Sequence, residues 1–156
     1  MRFFLIDRID ELCIGKYAQG VKCISMTEDV FNEHFPGYPI FPGSLILEGL
    51  AQLSGILFEY SLIHGGHHHK RAALTLVNKM KYRKITVPGD RLIYRCETQV
   101  FYPDEYAVAK VSASNNGELV AHGELFFGFI DILNQESKKS SQEFMQMALK
   151  NTKIIL

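Results

Sequence analysis

Three prolines within seven residues, Pro36, Pro39 and Pro42, stand directly ahead of the longest apolar run in the chain. Each fixes its own φ and pushes its predecessor toward extended geometry, so Phe35–Gly43 cannot be helical. From Gly43-Ser44 that restraint ends, and a helix is expected to about Leu62, stopping before Gly65-Gly66. Its apolar residues (Leu45, Ile46, Leu47, Leu50, Ala51, Leu53, Ile56, Leu57, Phe58) cover more than one stripe, so protein should enclose most of its circumference. Ser44, Glu48, Gln52 and Glu59 fall on one narrow face. Glu48 and Gln52 also interrupt the run, which falls short of a membrane span.

Extended segments flank this unit. Leu5–Cys13 and Tyr17–Ser25 read as a hairpin around Gly15-Lys16, and Thr27 is placed to cap a short helical turn over residues 27–32. Beyond the helix, Ala72–Tyr82, Arg91–Tyr102, Tyr106–Asn115 and Leu119–Ile130 are rich in Val, Thr, Tyr and Phe. Pro88-Gly89-Asp90, Pro103-Asp104 and Asn115-Asn116-Gly117 punctuate them as turns. Consecutive strands on short turns imply an antiparallel sheet, and one long buried helix beside it implies an α+β fold, the sheet wrapped around the helix. The expected organisation is a main domain over 1–132 and a C-terminal extension over 133–156. In the extension, Ser140-Ser141-Gln142-Glu143 resembles a capping box ahead of Phe144, Met147 and Ala148.

The formal net charge is zero, so no overall field directs the chain to nucleic acid or to a membrane. The distribution is uneven. Between Lys70 and Arg95 lie eight basic residues and a single acid, Asp90. A solvated strand face and a docking patch for an acidic partner both fit that pattern. Cys13, Cys23 and Cys96 are odd in number and widely spaced, which suits small buried hydrophobes in a reducing compartment. Residues 3–8 become charged too soon for a signal peptide, so a cytoplasmic location is expected.

His34 and Glu48 are the candidate acid–base pair. An enclosed helix would desolvate the Glu48 carboxylate, which favours its protonated form. The alternative, that Glu48 belongs to a stripe facing water, fits the same spacing. At Gly43 a helix N-terminus presents free N–H groups and the positive end of the dipole. A thioester carbonyl held there would be polarised as an enolate developed.

His34-Phe35-Pro36-Gly37-Tyr38-Pro39-Ile40-Phe41-Pro42-Gly43, followed by Glu48-Gly49-Leu50-Ala51-Gln52, closely resembles the hot-dog-fold (3R)-hydroxyacyl-acyl-carrier-protein dehydratases of fatty-acid synthesis. The resemblance extends to Phe3–Leu12, Val77–Asp90 and Gly117–Ile130, so it covers roughly residues 3–130. It implies His34 as base on C2 of a 3-hydroxyacyl thioester, its ring oriented by the carbonyl of Ile40. It implies Glu48 as the acid that protonates the departing hydroxyl, Gln52 as the residue holding that carboxylate, and the Gly43 N–H as donor to the thioester oxygen. Phe35 and Phe41 are placed with the substrate, and a cis peptide is expected at His34-Phe35. In such enzymes the His and Glu of one site come from two subunits, so a homodimer is implied, with trimers of dimers common. Glu at position 48 points to the branch that dehydrates without isomerising. No metal or organic cofactor is implied; the substrate carries the 4'-phosphopantetheine of an acyl carrier protein. That partner is acidic, which gives Lys79, Lys81, Arg83 and Lys84 a docking role. Such enzymes usually carry Met at position 41, Val at 44 and Ala at 49, where this chain has Phe41, Ser44 and Gly49.

The alternative activity is a hot-dog acyl thioesterase in which Glu48 activates water or attacks the acyl carbon; those enzymes generally lack the His-Phe-Pro segment. A non-catalytic scaffold subunit is the third reading. His64, His67, His68 and His69 invite a metal site, but no Cys or acid sits beside them in sequence, and an exposed loop accounts for them.

Overall fold

The structure is a computed structural model that describes residues 3–156. A hairpin opens the chain, β1 (Arg8–Cys13) and β2 (Tyr17–Cys23), its turn made by Gly15 at φ 75°. A short 3-10 turn (Asp29–Asn32) and the proline loop lead into α1 (Gly43–His64). Four long strands follow: β3 (Lys70–Tyr82), β4 (Arg91–Tyr102), β5 (Tyr106–Asn115) and β6 (Glu118–Asp131). The chain closes with α2 (Gln135–Ala148) and β7 (Lys153–Ile155). All seven strands form one sheet in the order β3-β6-β5-β4-β2-β1-β7, antiparallel except for the β1–β7 pair. The expected α+β fold, a sheet wrapped around one helix, is what forms.

The proline loop ends where Pro42, extended at φ −60° and ψ 136°, lets Leu45 and Ile46 N–H reach back to its carbonyl and start α1. The helix buries residues on most of its circumference, from Ile46 to Leu62, as its apolar pattern requires. Contrary to the expectation that the apolar run falls short of a membrane span, the 22-residue helix is long and apolar enough to cross a bilayer, yet 67% of its most apolar window lies inside the protein. It is the core helix. Leu50, Leu53, Leu57 and Phe58 meet Leu92, Tyr94, Cys96, Ala109, Val111 and Leu125 from the sheet.

Three local expectations are corrected. Thr27 caps nothing: its hydroxyl bonds Ser25, and the 3-10 turn starts at Asp29 without a side-chain cap. Cys23 is exposed, while Cys13 and Cys96 are the buried pair, burial pushing the Cys96 thiol up to about 12. Helix α2 begins at Gln135, capped by the Asn134 side chain accepting from Ser137 N–H, not at the Ser140 box. Its first half is polar and exposed, so apolar periodicity marks only the second half.

Gly49 owes its place to a neighbour across the core. A Cβ there would lie 2.6 Å from the ring of Tyr94 and 3.1 Å from the carbonyl oxygen of Leu5. Tyr94 is fully buried and cannot step aside. Gly49→Ala should therefore destabilise the fold although alanine is the better helix former. Overpacking of about 1–3 kcal/mol outweighs a propensity gain of about 1 kcal/mol. Urea unfolding reads the net; a stabilised variant would show that the Tyr94 ring yields.

Candidate active site

The proline loop is pinned at both ends. Ile40 N–H donates to the His34 carbonyl at 3.0 Å, Phe35 and Tyr38 exchange main-chain bonds, and Phe41 N–H reaches the Thr86 carbonyl at 2.8 Å. Phe41 is buried against Phe31, so it anchors the loop in the core. The His34-Phe35 peptide is cis. Within this frame His34 Nδ1 lies 2.8 Å from the Ile40 carbonyl oxygen. A carbonyl only accepts, so Nδ1 carries the hydrogen, and a neutral ring presents Nε2 as the free base. The Phe35 ring stacks on the imidazole at 4.1 Å and is itself exposed.

Glu48 sits one turn and a half into α1, half-buried. Gln52, one turn further, donates from Nε2 to Glu48 Oε1 at 3.1 Å. That amide is fixed in turn by the N-terminal segment, donating to the Phe3 carbonyl and accepting from Leu5 N–H at 2.8 Å. Among the described residues Glu48 Oε2 has no hydrogen-bond donor. The solvated-stripe alternative does not hold along this face. Ser44 is exposed, Glu48 and Gln52 are half-buried, and Glu59 is 3% exposed.

Glu59 is a buried carboxylate that residue pattern alone did not single out as such. It accepts from Ala72 N–H at 2.8 Å and pairs with Arg71 Nε at 3.0 Å. Burial raises its pKa, against the opposing pull of the Arg71 charge and the Ala72 N–H. Arg71 also donates to Ser141 Oγ of α2, and that hydroxyl lies 3.2 Å from His69 Nε2. His69 is therefore partly built into the fold, while His67 and His68 are exposed.

At the start of α1, no acceptor among the described residues meets the Gly43 N–H. Gly43 also seats the Tyr82 ring, since a Cβ would stand 2.7 Å from it. Neither the Tyr82 contact nor the N-terminal clamp on Gln52 could be seen in the residue pattern, because both join segments far apart in sequence.

The docking candidates divide. Lys84 pairs with Glu118, and Arg83 Nε donates to His122 Nε2 at 3.1 Å. Lys79 and Lys81 line a shallow depression on the sheet with Lys110 and His122. The rest of the basic stretch is partly committed to structure: Lys70 faces Asp104 and Asp131, Arg71 holds Glu59, and Arg95 lies over the Tyr17 ring.

A sheet curled around one buried helix is the hot-dog arrangement, and here an oriented imidazole stands ahead of that helix and a carboxylate lies in its second turn. Residues 1–124 match the FabA-like domain. The chain is 39% identical over 132 residues to the 3-hydroxyacyl-[acyl-carrier-protein] dehydratase FabZ of Acetivibrio thermocellus, spanning 83% of this chain and 86% of that protein. Among solved structures, the dehydratase heterocomplex ApeI:P from Xenorhabdus doucetiae superposes with a TM-score of 0.68 at 12% identity, over 90% of each chain. A hot-dog-like protein from Thermanaerovibrio acidaminovorans gives 0.60 at 17% identity, over 91% of this chain and 93% of that one. The chain belongs to the FabA-like family of hot-dog proteins.

Proposed function

We propose that this chain is a dehydratase of 3-hydroxyacyl thioesters carried on acyl carrier protein, serving fatty-acid or related acyl-chain synthesis. The observation that carries this reading is the pair of clamped groups: His34 held by Ile40, and Glu48 held by Gln52. His34 Nε2 takes the C2 proton. The Glu48 carboxyl gives its proton to the 3-hydroxyl, the C3–O bond breaks, water departs and the C2=C3 double bond forms. Negative charge that develops on the thioester oxygen meets the Gly43 N–H and the positive end of α1. Acid and base both come from side chains, and the pantetheine arm belongs to the substrate.

The acid and base of one site are assigned to two subunits. The cleft that contains Glu48 and Gln52 is lined by fourteen residues, and His34 of the same chain is not one of them. Among the described residues no strand lies beside the outer edge of β3, and that strand exposes Leu74, Leu76 and Val77. An apolar edge of this kind is normally covered, and a second copy pairing there would cover it and form the dimer.

The deciding assay offers a short 3-hydroxyacyl carrier thioester and follows enoyl absorbance and free thiol together. Enoyl formation without thiol supports the dehydratase. Thiol release would replace it with the thioesterase, and silence on both would leave only the scaffold. Lys79, Lys81, Arg83 and Lys84 are proposed to meet the acidic carrier. Charge reversal at Lys81 and Arg83 should lower turnover of carrier-linked substrate, most at low salt, more than that of small thioester mimics. Equal losses on both substrates would remove the docking role.

A further inference from the structure

The cleft that contains Glu48 extends well past it, to about 500 Å³. One wall is the α1 face carrying Glu48, Gln52, Gly55 and Glu59, spaced at helical intervals. From Glu48 to Glu59 is eleven residues, or about 16 Å of helix. The facing wall comes from α2: Phe144, which packs edge-on against Phe4 with ring centroids 5.1 Å apart, and Met147. Both lie beyond residues 1–124, outside the part of the chain that matches the family. The far end is polar, closed by the Glu59–Arg71 pair and its bond to Ser141 of α2.

Gly55 stands between those ends. Its only close neighbour for an added Cβ is the Ala72 Cβ at 4.0 Å, and its φ is not positive. Neither tight packing nor backbone geometry asks for glycine here, yet a glycine inside a helix costs about 1 kcal/mol against alanine. What its missing side chain leaves is room in the cleft.

We infer that α2 and Gly55 together gauge the length of the acyl chain. The chain runs from Glu48 along α1 between Gly55 and the Phe144–Met147 wall, and stops at the Glu59–Arg71–Ser141 network. An apolar tail that reached further would have to displace a paired buried carboxylate, which is unfavourable. This inference rests on the dehydratase reading for its substrate but not for its cleft.

Two measurements on the full-length chain separate the two. The first is kcat/KM across carrier-linked 3-hydroxyacyl chains of increasing length. The second is calorimetric affinity for saturated acyl-pantetheine thioesters of the same lengths, which needs no turnover. Gly55→Leu should lower the long-to-short ratio at least tenfold and shorten the length at which affinity stops rising. Phe144→Ala and Met147→Ala should move both in the opposite direction, at least threefold. Circular dichroism and elution volume check fold and assembly for each variant. Length profiles unchanged in all three variants would overturn the gauge, whatever the activity. A change of assembly with the length profile kept would also overturn it, assigning α2 to a subunit contact. Shifted affinities in a chain that forms no enoyl product would keep the gauge and remove the dehydratase.

Discussion

Replacing His34 by Ala, or Glu48 by Gln, is expected to lower dehydration turnover at least about a hundredfold in each case, the usual cost of losing a positioned acid or base. The fold should survive both changes. The bond that holds the His34 side chain is the one to Ile40, and the ring is only half-buried. Glu48→Gln keeps an acceptor for Gln52 Nε2 and the same shape, and removes only the proton that the reaction needs. Steady-state rates with circular dichroism as the control decide the matter; near wild-type rates in either variant would overturn the assignment. A mixture of the two inactive variants carries a sharper test. In a two-fold hybrid, one site combines both defects and the other has neither, so random exchange should restore about a quarter of wild-type activity. No recovery, with subunit exchange demonstrated by mass, would place acid and base in one chain.

The parts of this molecule that could be read from residues are those with short-range causes. Three prolines and a glycine set where α1 starts, and Gly65-Gly66 where it stops. The four long strands were legible because turn residues separate them and β-branched and aromatic residues fill them. The His34–Ile40 and Glu48–Gln52 bonds join residues six and four apart, within reach of a motif. What escaped reading depends on distant partners. Glu59 looks like a surface residue until β3 brings Arg71 and the Ala72 N–H to it. Gly49 looks like a weakness in the helix until Tyr94 arrives from β4. Strand β7 has three residues, too few for any alternation to show, and owes its existence to pairing with β1. The polar first half of α2 is helical because Asn134 caps it and because its second half packs on Phe4.

Arg71→Met should produce the largest stability loss, and one that grows with pH. Glu59 is almost wholly buried, with its side chain 5% exposed, while the Arg71 side chain is 48% exposed. The loss should therefore lie between the value for an exposed pair and that for a broken buried one, at about 2 kcal/mol near pH 8. Burial raises the Glu59 pKa in the folded chain, and Arg71 restrains that rise. Folded protein then holds a proton on Glu59 at pH values where unfolded chain has released it. Stability from this group is full below the ordinary carboxylate range, near about pH 4, and falls as pH climbs through the raised folded value. Without Arg71 the restraint is gone, the folded value climbs further, and the fall continues to higher pH. The deficit of Arg71→Met relative to wild type should be small near pH 4 and greatest under alkaline conditions. Glu59→Gln removes the titrating group, keeps a carbonyl for the Ala72 N–H, and leaves Arg71 its bond to Ser141 and water. In that background Arg71→Met should cost little, and the pH dependence left should come from His69, whose pKa is lowered by burial and further by the Arg71 charge. Urea unfolding of the four proteins across this range isolates the coupling, because every other carboxylate titrates alike in all of them. A deficit that stays constant with pH would mean that Arg71 acts through its bond to Ser141 of α2 rather than through its charge on Glu59.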